Sequence, residues 1–292
     1  MFIHMVLTMK EYYKDKFPQW YKDNSDYGLI LTDDIDSLLG CSILKAVKGW
    51  NIEQIMLFKA NKAKDMDYLG TINNITKEAV GVDFAMVNGK CFDNHLTLFN
   101  SGTKPNSESI NPNNALEVNR GIYSKKYALS TVLLLWSLYD LPKENLSEEL
   151  MMVLLAIDSS FEGYYNDYFR TYNKKFMVDV LDLPEFYECQ NRHTYEEFKD
   201  IQRKYHLKDK IMADKGYLTT GIDIDGINDL LIWDCNVQIE LPKDRFRKKA
   251  IFRDIAKEIK GFPNSINAIC ENPFCYALTK KNFVNYSEQI IF

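Results

Sequence analysis

Four times in this chain an apolar run that reads as the buried part of a strand or helix ends on aspartate. YGLILTDDIDSLLG (27–40) carries Asp34 and Asp36, and AVGVDFAMVNG (79–89) carries Asp83. KCF (90–92) leads into Asp93-Asn94-His95, and MMVLLAIDSSF (151–161) carries Asp158. A buried carboxylate without a partner costs several kcal/mol, so such endings rarely arise by chance. Several in one chain call for a shared divalent cation, which directs attention to metal-dependent phosphoryl transfer.

The acids also recur in a chain whose pattern alternates strand and helix. GLILT (28–32) predicts a buried strand and Ser37 to Lys48 a helix directly after it. QIMLF (54–58), EAVGVDF (78–84) and KCF (90–92) predict further strands. The expected fold is α/β, a parallel sheet with helices on both faces. Ligands of such sheets bind beyond the carboxyl ends of the strands, where Asp34, Asp36, Asp83 and Asp93 all fall. Residues 10–24 predict a helix, 98–122 a long polar loop, and 124–140 and 147–159 a helix pair with Ser147 as the second N-cap. Asp158 then sits at a helix C-terminus, where the dipole disfavours an anion. A tyrosine-rich helical stretch spans 162–206. Beyond it GYLTTGIDIDG, DLLIWDCNVQIEL and SINAICENPFCYALT predict strands, and FRKKAIFRDIAKEI (246–259) a helix. The expected units are 1–175, a helical connector over 176–206, and a smaller C-terminal α/β domain over 207–292.

Composition narrows the setting. At 292 residues and 46% hydrophobic the chain can bury a large core as one domain or two. A net charge of −5 gives no global basic excess for long nucleic acid, although a local patch could hold a short one. The six cysteines (41, 91, 189, 235, 270, 275) form no C-x-x-C pair and read as reduced thiols. MFIHMVLTMKEYY is too short an apolar run for a signal peptide, and TVLLLWSLYDL is broken by Asp140 and followed by Pro142, so no membrane span is expected. The expected location is cytoplasmic, with no membrane partner.

Taken in order, Asp34-Ile35-Asp36 after the first strand, a lone Asp83, Asp93-Asn94-His95, Asn111-Pro112 and LLAIDSSF (154–161) resemble the DHH phosphoesterase superfamily over about 27–162. That superfamily includes RecJ-type exonucleases, oligoribonuclease-like enzymes and cyclic-dinucleotide phosphodiesterases. The resemblance implies a DHH-like fold and one or two Mn2+ (or Mg2+) ions. In it Asp83 bridges the ions, Asp34 binds one, and Asp36, Asp158 and Asn94 bind the other. His95 contacts the phosphate or donates a proton, Asp93 orients a neighbouring ligand, and water is the nucleophile. The implied substrate is a small nucleotide or short oligonucleotide, clamped between two domains by Arg245, Arg247, Lys248 and Lys249 together with Arg120. Asn94 stands where the family has a metal-binding histidine, Ile30 stands where many members have another, and the last 85 or so residues lack the glycine-rich, histidine-bearing motif of many members.

Other readings compete. Asp33 and Asp34 could cap the following helix, and His95 could be a hydrogen-bonded core residue. RFRKK reads more readily as a solvated helix face than as a substrate clamp. Tyr164, Tyr165, Tyr168 and Tyr172 fit interhelix packing better than a base-stacking ladder. IDIDGIND (222–229) lacks the spacing of a calcium loop and reads as an Asp-Gly turn between strands. A haloacid-dehalogenase-type phosphatase also uses D-x-D after a strand, but no convincing later acidic pair follows. A degenerate DHH-like protein that binds a nucleotide or partner without turnover is the main alternative to an enzyme.

Overall fold

The strand Gly28–Leu31 (β1) is buried at every position, and the two sides of it meet different partners. Leu29 and Leu31 point into the main core with the helices, whereas Ile30 points into a separate cluster built from other strands. The computed structural model describes Met9, 11–58, 65–71 and 77–290. The N-terminal run MFIHMVLT, read above against a signal peptide, lies outside the described residues. Among the described residues no helix is long and apolar enough to cross a membrane.

The chain is α/β with a nine-stranded mixed sheet. Its members besides β1 are β2 (Asn51–Phe58), β3 (Asp65–Thr71), β4 (Ala79–Val82), β5 (Cys91–Phe92), β6 (Ser109–Ile110), β9 (Phe246–Glu258), β10 (Pro273–Lys280) and β11 (Phe283–Gln289). A hairpin of β7 (Ile211–Asp214) and β8 (Tyr217–Thr220) stands apart from them. The order is β10-β11-β9-β3-β2-β1-β4-β5-β6. The pairs β2–β1–β4–β5–β6 are parallel, as the sequence predicts, and β2–β3–β9–β11–β10 are antiparallel, which it does not.

Nine helices are described: α1 (Glu11–Lys14), α2 (Ile35–Lys48), α3 (Pro112–Ala115), α4 (Thr131–Leu138), α5 (Glu148–Ala156), α6 (Asp167–Lys174), α7 (Pro184–Arg192), α8 (Tyr195–Lys204) and α9 (Ile224–Cys235). Residues of α2, α4, α5, α7, α8 and α9 share one core with Leu29, Leu31, Val80, Val82 and Phe92. The opposite side of β1 is covered by the sheet itself, not by a second helical layer. Ile30, Met56, Met66 and Phe84 meet Phe252 and Cys275 there. Phe252 stacks on Phe274 at 4.6 Å between ring centroids, and Phe84 packs against Phe274. Met86 bridges Cys275, Tyr276 N–H donates to Ala85 O, and Leu278 N–H donates to Leu96 O. The far edge of the antiparallel half thus returns to the segment after β4, and the sheet curls over its own apolar face.

Three expectations are corrected. Residues 246–258 form β9, not a helix: the segment lies between β3 and β11, and its backbone groups pair on both sides. Residues 224–235 form α9, not strands: Asp223 accepts from Gly226 N–H as N-cap, so IDIDGIND is a helix start and not a hairpin turn. The helix expected from 124 starts at Thr131, where the Ser130 hydroxyl accepts from Leu133 N–H. Strands β9 to β11 of the expected C-terminal unit are hydrogen-bonded into the same sheet as the N-terminal strands.

Candidate metal centre

The parallel strands β1, β4 and β5 deliver their acids to one edge, as their order predicts. Asp34 caps α2: one carboxylate oxygen accepts from Ser37 N–H at 3.2 Å, and the other lies 3.2 Å from Lys210 Nζ. Asp36, one residue inside α2, is 2% exposed. Its two oxygens accept from Thr131 N–H (2.9 Å) and Val132 N–H (2.7 Å), the free donors at the start of α4. A helix N-terminus is a favourable seat for an anion, which explains how so buried a carboxylate is tolerated. Asp83 leaves β4 with φ 53°, in the left-handed region that aspartate enters more readily than most residues. Its Oδ1 accepts from Thr131 Oγ1 at 2.9 Å.

Asp93 is buried and fully engaged. Its Oδ1 lies 2.7 Å from His95 Nδ1 and accepts from His95 N–H, and its Oδ2 accepts from Asn111 Nδ2 at 2.7 Å. Asn111 also donates to His95 O and caps α3, so Asn111-Pro112 ties the loop to the Asp93-Asn94-His95 turn. Asp93 therefore orients His95 and leaves Nε2 as the free ring nitrogen; the side chain of His95 is 41% accessible.

Asp158 follows α5 with φ 49°, and Ser159 follows with φ 55°. Two successive non-glycine residues in this region cost of order 1–3 kcal/mol each, a strain that structures retain mainly at functional positions. Asn94 donates from Nδ2 to both Asp158 Oδ2 (3.0 Å) and Leu129 O (3.1 Å). Asn94 thus presents its amine to the acid and keeps only its amide oxygen as a ligand atom, a poorer one than imidazole.

Charge is concentrated here. Burial, then Asp83, Asp158 and Asp34, push the Asp36 carboxyl well above its ordinary range. Burial, with Asp34 next, pushes Asp83 up to about 8, and burial raises Asp158. Burial works against a charged His95, but Asp93, Asp83 and Asp158 outweigh it and raise the imidazole to about 10. A cluster that retains protons so strongly is one that a divalent cation would relieve. Asp83, Asp93 and His95 each offer a ligand atom, and these atoms lie within 4.8 Å of one another. Carboxylate oxygens suit manganese or magnesium. A second group, Glu148, Cys189 and His193, is equally close, but Arg192 forks onto Glu148 with bonds of 2.9 and 2.8 Å and balances it as an ion pair.

The expected clamp lies elsewhere. Arg120 donates to Lys281 O, Gly261 O and Asn282 Oδ1, and so braces the β10–β11 turn. Arg245 donates to Lys215 O, and Lys248 pairs with Asp67 at 2.8 Å. Arg247, Lys248 and Lys249 belong to β9, which is separated from β1 by β3 and β2. At roughly 4.8 Å per strand that is about 14 Å. None of the five lines a cavity at the acidic cluster.

Two cavities do meet it, both lined by Asp158 and Ser159. The larger, about 540 Å3, takes in His95, Lys126 and several aromatic rings; the smaller, about 270 Å3, takes in Asp34, Asp36, Lys208 and Lys210. Lys210 reaches Asp33 Oδ1 at 3.0 Å as well as Asp34, and Asp33 also accepts from Phe58 N–H. Lys126, Thr131 and Lys210 are the site residues that sequence reasoning missed. Ser130-Thr131 before VLLLW carried a readable N-cap signal; the lysines carried none. Comparison with protein-family models, with curated proteins and with solved structures finds no match to this chain.

Proposed function

We propose that the protein is a metal-dependent phosphoesterase that hydrolyses a small nucleotide or a short oligonucleotide phosphodiester, in the manner of the DHH superfamily it resembles. One observation carries the reading: Asp36 and Asp83, just beyond β1 and β4, converge with Asp158 from the end of α5 closely enough to repel one another, with an oriented His95 beside them. Bound manganese or magnesium, held by Asp34, Asp36, Asp83 and Asp158, would lower the pKa of a water nucleophile and neutralise phosphate oxygens.

The chain's own residues supply the rest. Asp93 fixes the ring of His95 and favours its charged form, so Nε2–H is available to a phosphate oxygen or a leaving oxygen. Asn94 holds Asp158 in place through its amine. Thr131 does the same for Asp83 through its hydroxyl.

A second reading, a nucleotide binder without turnover, draws on Lys210. Its ammonium already compensates Asp33 and Asp34 where an ion would otherwise be expected. The test is hydrolysis of a 5′-phosphorylated dinucleotide with and without Mn2+, alongside Asp158→Asn and a measurement of bound metal. Metal-dependent release of mononucleotide, lost in the variant, supports the enzyme. No turnover and no tightly held ion would sink it in favour of the binder.

A further inference from the structure

The cavity of about 540 Å3 beside His95 lies within the size range of small-molecule sites, ~300–1,000 Å3. Its character differs from that of the acidic edge. Tyr123, Phe169 and Tyr172 contribute aromatic surface, while His95 and Asp158 mark the end shared with the carboxylates. Of the four tyrosines that might have formed a stacking ladder, Tyr164 and Tyr165 pack against Tyr187, Tyr195 and Phe198 between helices, and Tyr172 alone lines the cavity.

Lys126 is the second, independent sign of a ligand. It lines the same cavity, and its ammonium makes no hydrogen bond or ion pair with a described residue; it lies over the Tyr123 ring, 5.2 Å from Nζ to centroid. Burial lowers its pKa, and Asp158 only partly opposes that. A half-buried ammonium without a carboxylate partner is costly, and a phosphate would satisfy it. At the rim, Asn166 uses its oxygen to accept from Tyr168 and Phe169 N–H, which leaves its amide hydrogens for a ligand acceptor.

We infer that this cavity is a nucleoside subsite: it takes one base against the aromatic wall of Tyr123, Phe169 and Tyr172, with the attached phosphate turned toward Lys126 and His95. The direction of the phosphate rests on the phosphoesterase reading; the existence of the subsite does not. An aliphatic ligand would use the rings without needing the lysine, and a bare phosphate the lysine without needing the rings. A nucleotide uses both, together with the amide at the rim. Stacking is tolerant of base identity, so affinity should vary little among the four bases.

The test is calorimetric titration of the intact protein, in EDTA, with adenosine 5′-monophosphate, ribose 5-phosphate and adenosine. Wild type should bind the nucleotide at least about tenfold more tightly than ribose 5-phosphate, since stacking is worth ~1–3 kcal/mol per base and ~1.4 kcal/mol is tenfold. Phe169→Ala with Tyr172→Ala should remove that preference. Lys126→Ala should weaken nucleotide and ribose 5-phosphate alike and leave adenosine unchanged. Thermal melts and circular dichroism would establish that the variants fold. Equal affinity for nucleotide and ribose 5-phosphate in wild type, or an undiminished preference in a folded double variant, would overturn the subsite. Metal-dependent cleavage of an abasic phosphodiester alongside such a result would leave the enzyme reading intact. Nucleotide binding with no hydrolysis of any phosphoester would do the reverse.

Discussion

The two halves of the sheet solve opposite problems. At the carboxyl ends of the parallel half, β2-β1-β4-β5-β6, Asp34, Asp36 and Asp83 meet Asp158 from the end of α5, and the four carboxylates repel one another. The antiparallel half, β3-β9-β11-β10, curls back and gathers Phe252, Phe274, Met66 and Cys275 over Ile30 and Phe84. One region stores unfavourable charge and the other contributes apolar burial. The comparison teaches that the acidic edge does not hold the fold together; it is tolerated because the sheet closes elsewhere, as is common where stability and function compete.

The largest effect should come from breaking the closure. Phe252 is 3% exposed and stacked on Phe274. Phe252→Ala should cost about 3–5 kcal/mol, read as a lower urea midpoint. A loss under about 1 kcal/mol would mean that the curl does not carry the packing assigned to it. On the other side, Asp83→Asn should lower metal-dependent hydrolysis by roughly 10²–10³-fold, the scale of losing one transition-state electrostatic contact. The same change removes the cost of holding this carboxyl protonated beside Asp34 and Asp36, so the metal-free variant should melt no lower than wild type. A clear drop in melting temperature would show instead that Asp83 is a structural keystone.

Proton linkage sharpens the contrast. Asp83 is raised from its ordinary value to about 8, so its folded form holds a proton that the unfolded chain releases near pH 4. Its contribution to metal-free stability is full below about pH 4 and declines as pH rises to about 8. His95, raised to about 10, contributes fully below about pH 6.5 and declines from there toward pH 10. Both terms have the same sign. Without divalent ions, wild type should lose melting temperature between pH 5 and pH 8, and Asp83→Asn should flatten that slope. Added Mg2+ should stabilise more at pH 8 than at pH 5.5, because it replaces protons at the same ligands. A larger effect of Mg2+ at the lower pH would contradict the assignment.

The same division governs what the sequence revealed. The strand–acid–helix grammar of the parallel half is local: GLIL ends before Asp33, AVGV ends at Asp83, and α5 ends before Asp158. The antiparallel half is long-range. In β9 the buried positions Phe246 and Phe252 lie six apart with exposed Arg247, Lys248 and Lys249 between them, because the strand is paired on both edges and buries only scattered side chains. Charge mixed with alanine and isoleucine then mimics a helix. Helix α9 was readable: Ile224, Ile227 and Leu231 repeat at helical spacing behind the Asp223 cap. The partners of Asp36 were not, since Thr131 and Val132 lie 95 and 96 residues away, and neither was Lys210, which is 176 residues from Asp34.

The smallest predicted effect separates the two halves functionally. Lys248 was expected on sequence grounds to clamp the substrate, yet its ammonium pairs with Asp67 on the neighbouring strand β3, and both lie on the antiparallel half. The lysine side chain is 48% exposed, so the pair is screened and worth no more than about 1 kcal/mol. Lys248→Ala should therefore leave KM for the dinucleotide within about twofold and shift stability only slightly. Lys126→Ala, in the cavity next to Asp158, should raise KM more. If the order were reversed, the antiparallel half would be a substrate-binding surface, and the division between a charged, acting edge and an apolar, closing one would fail at that strand.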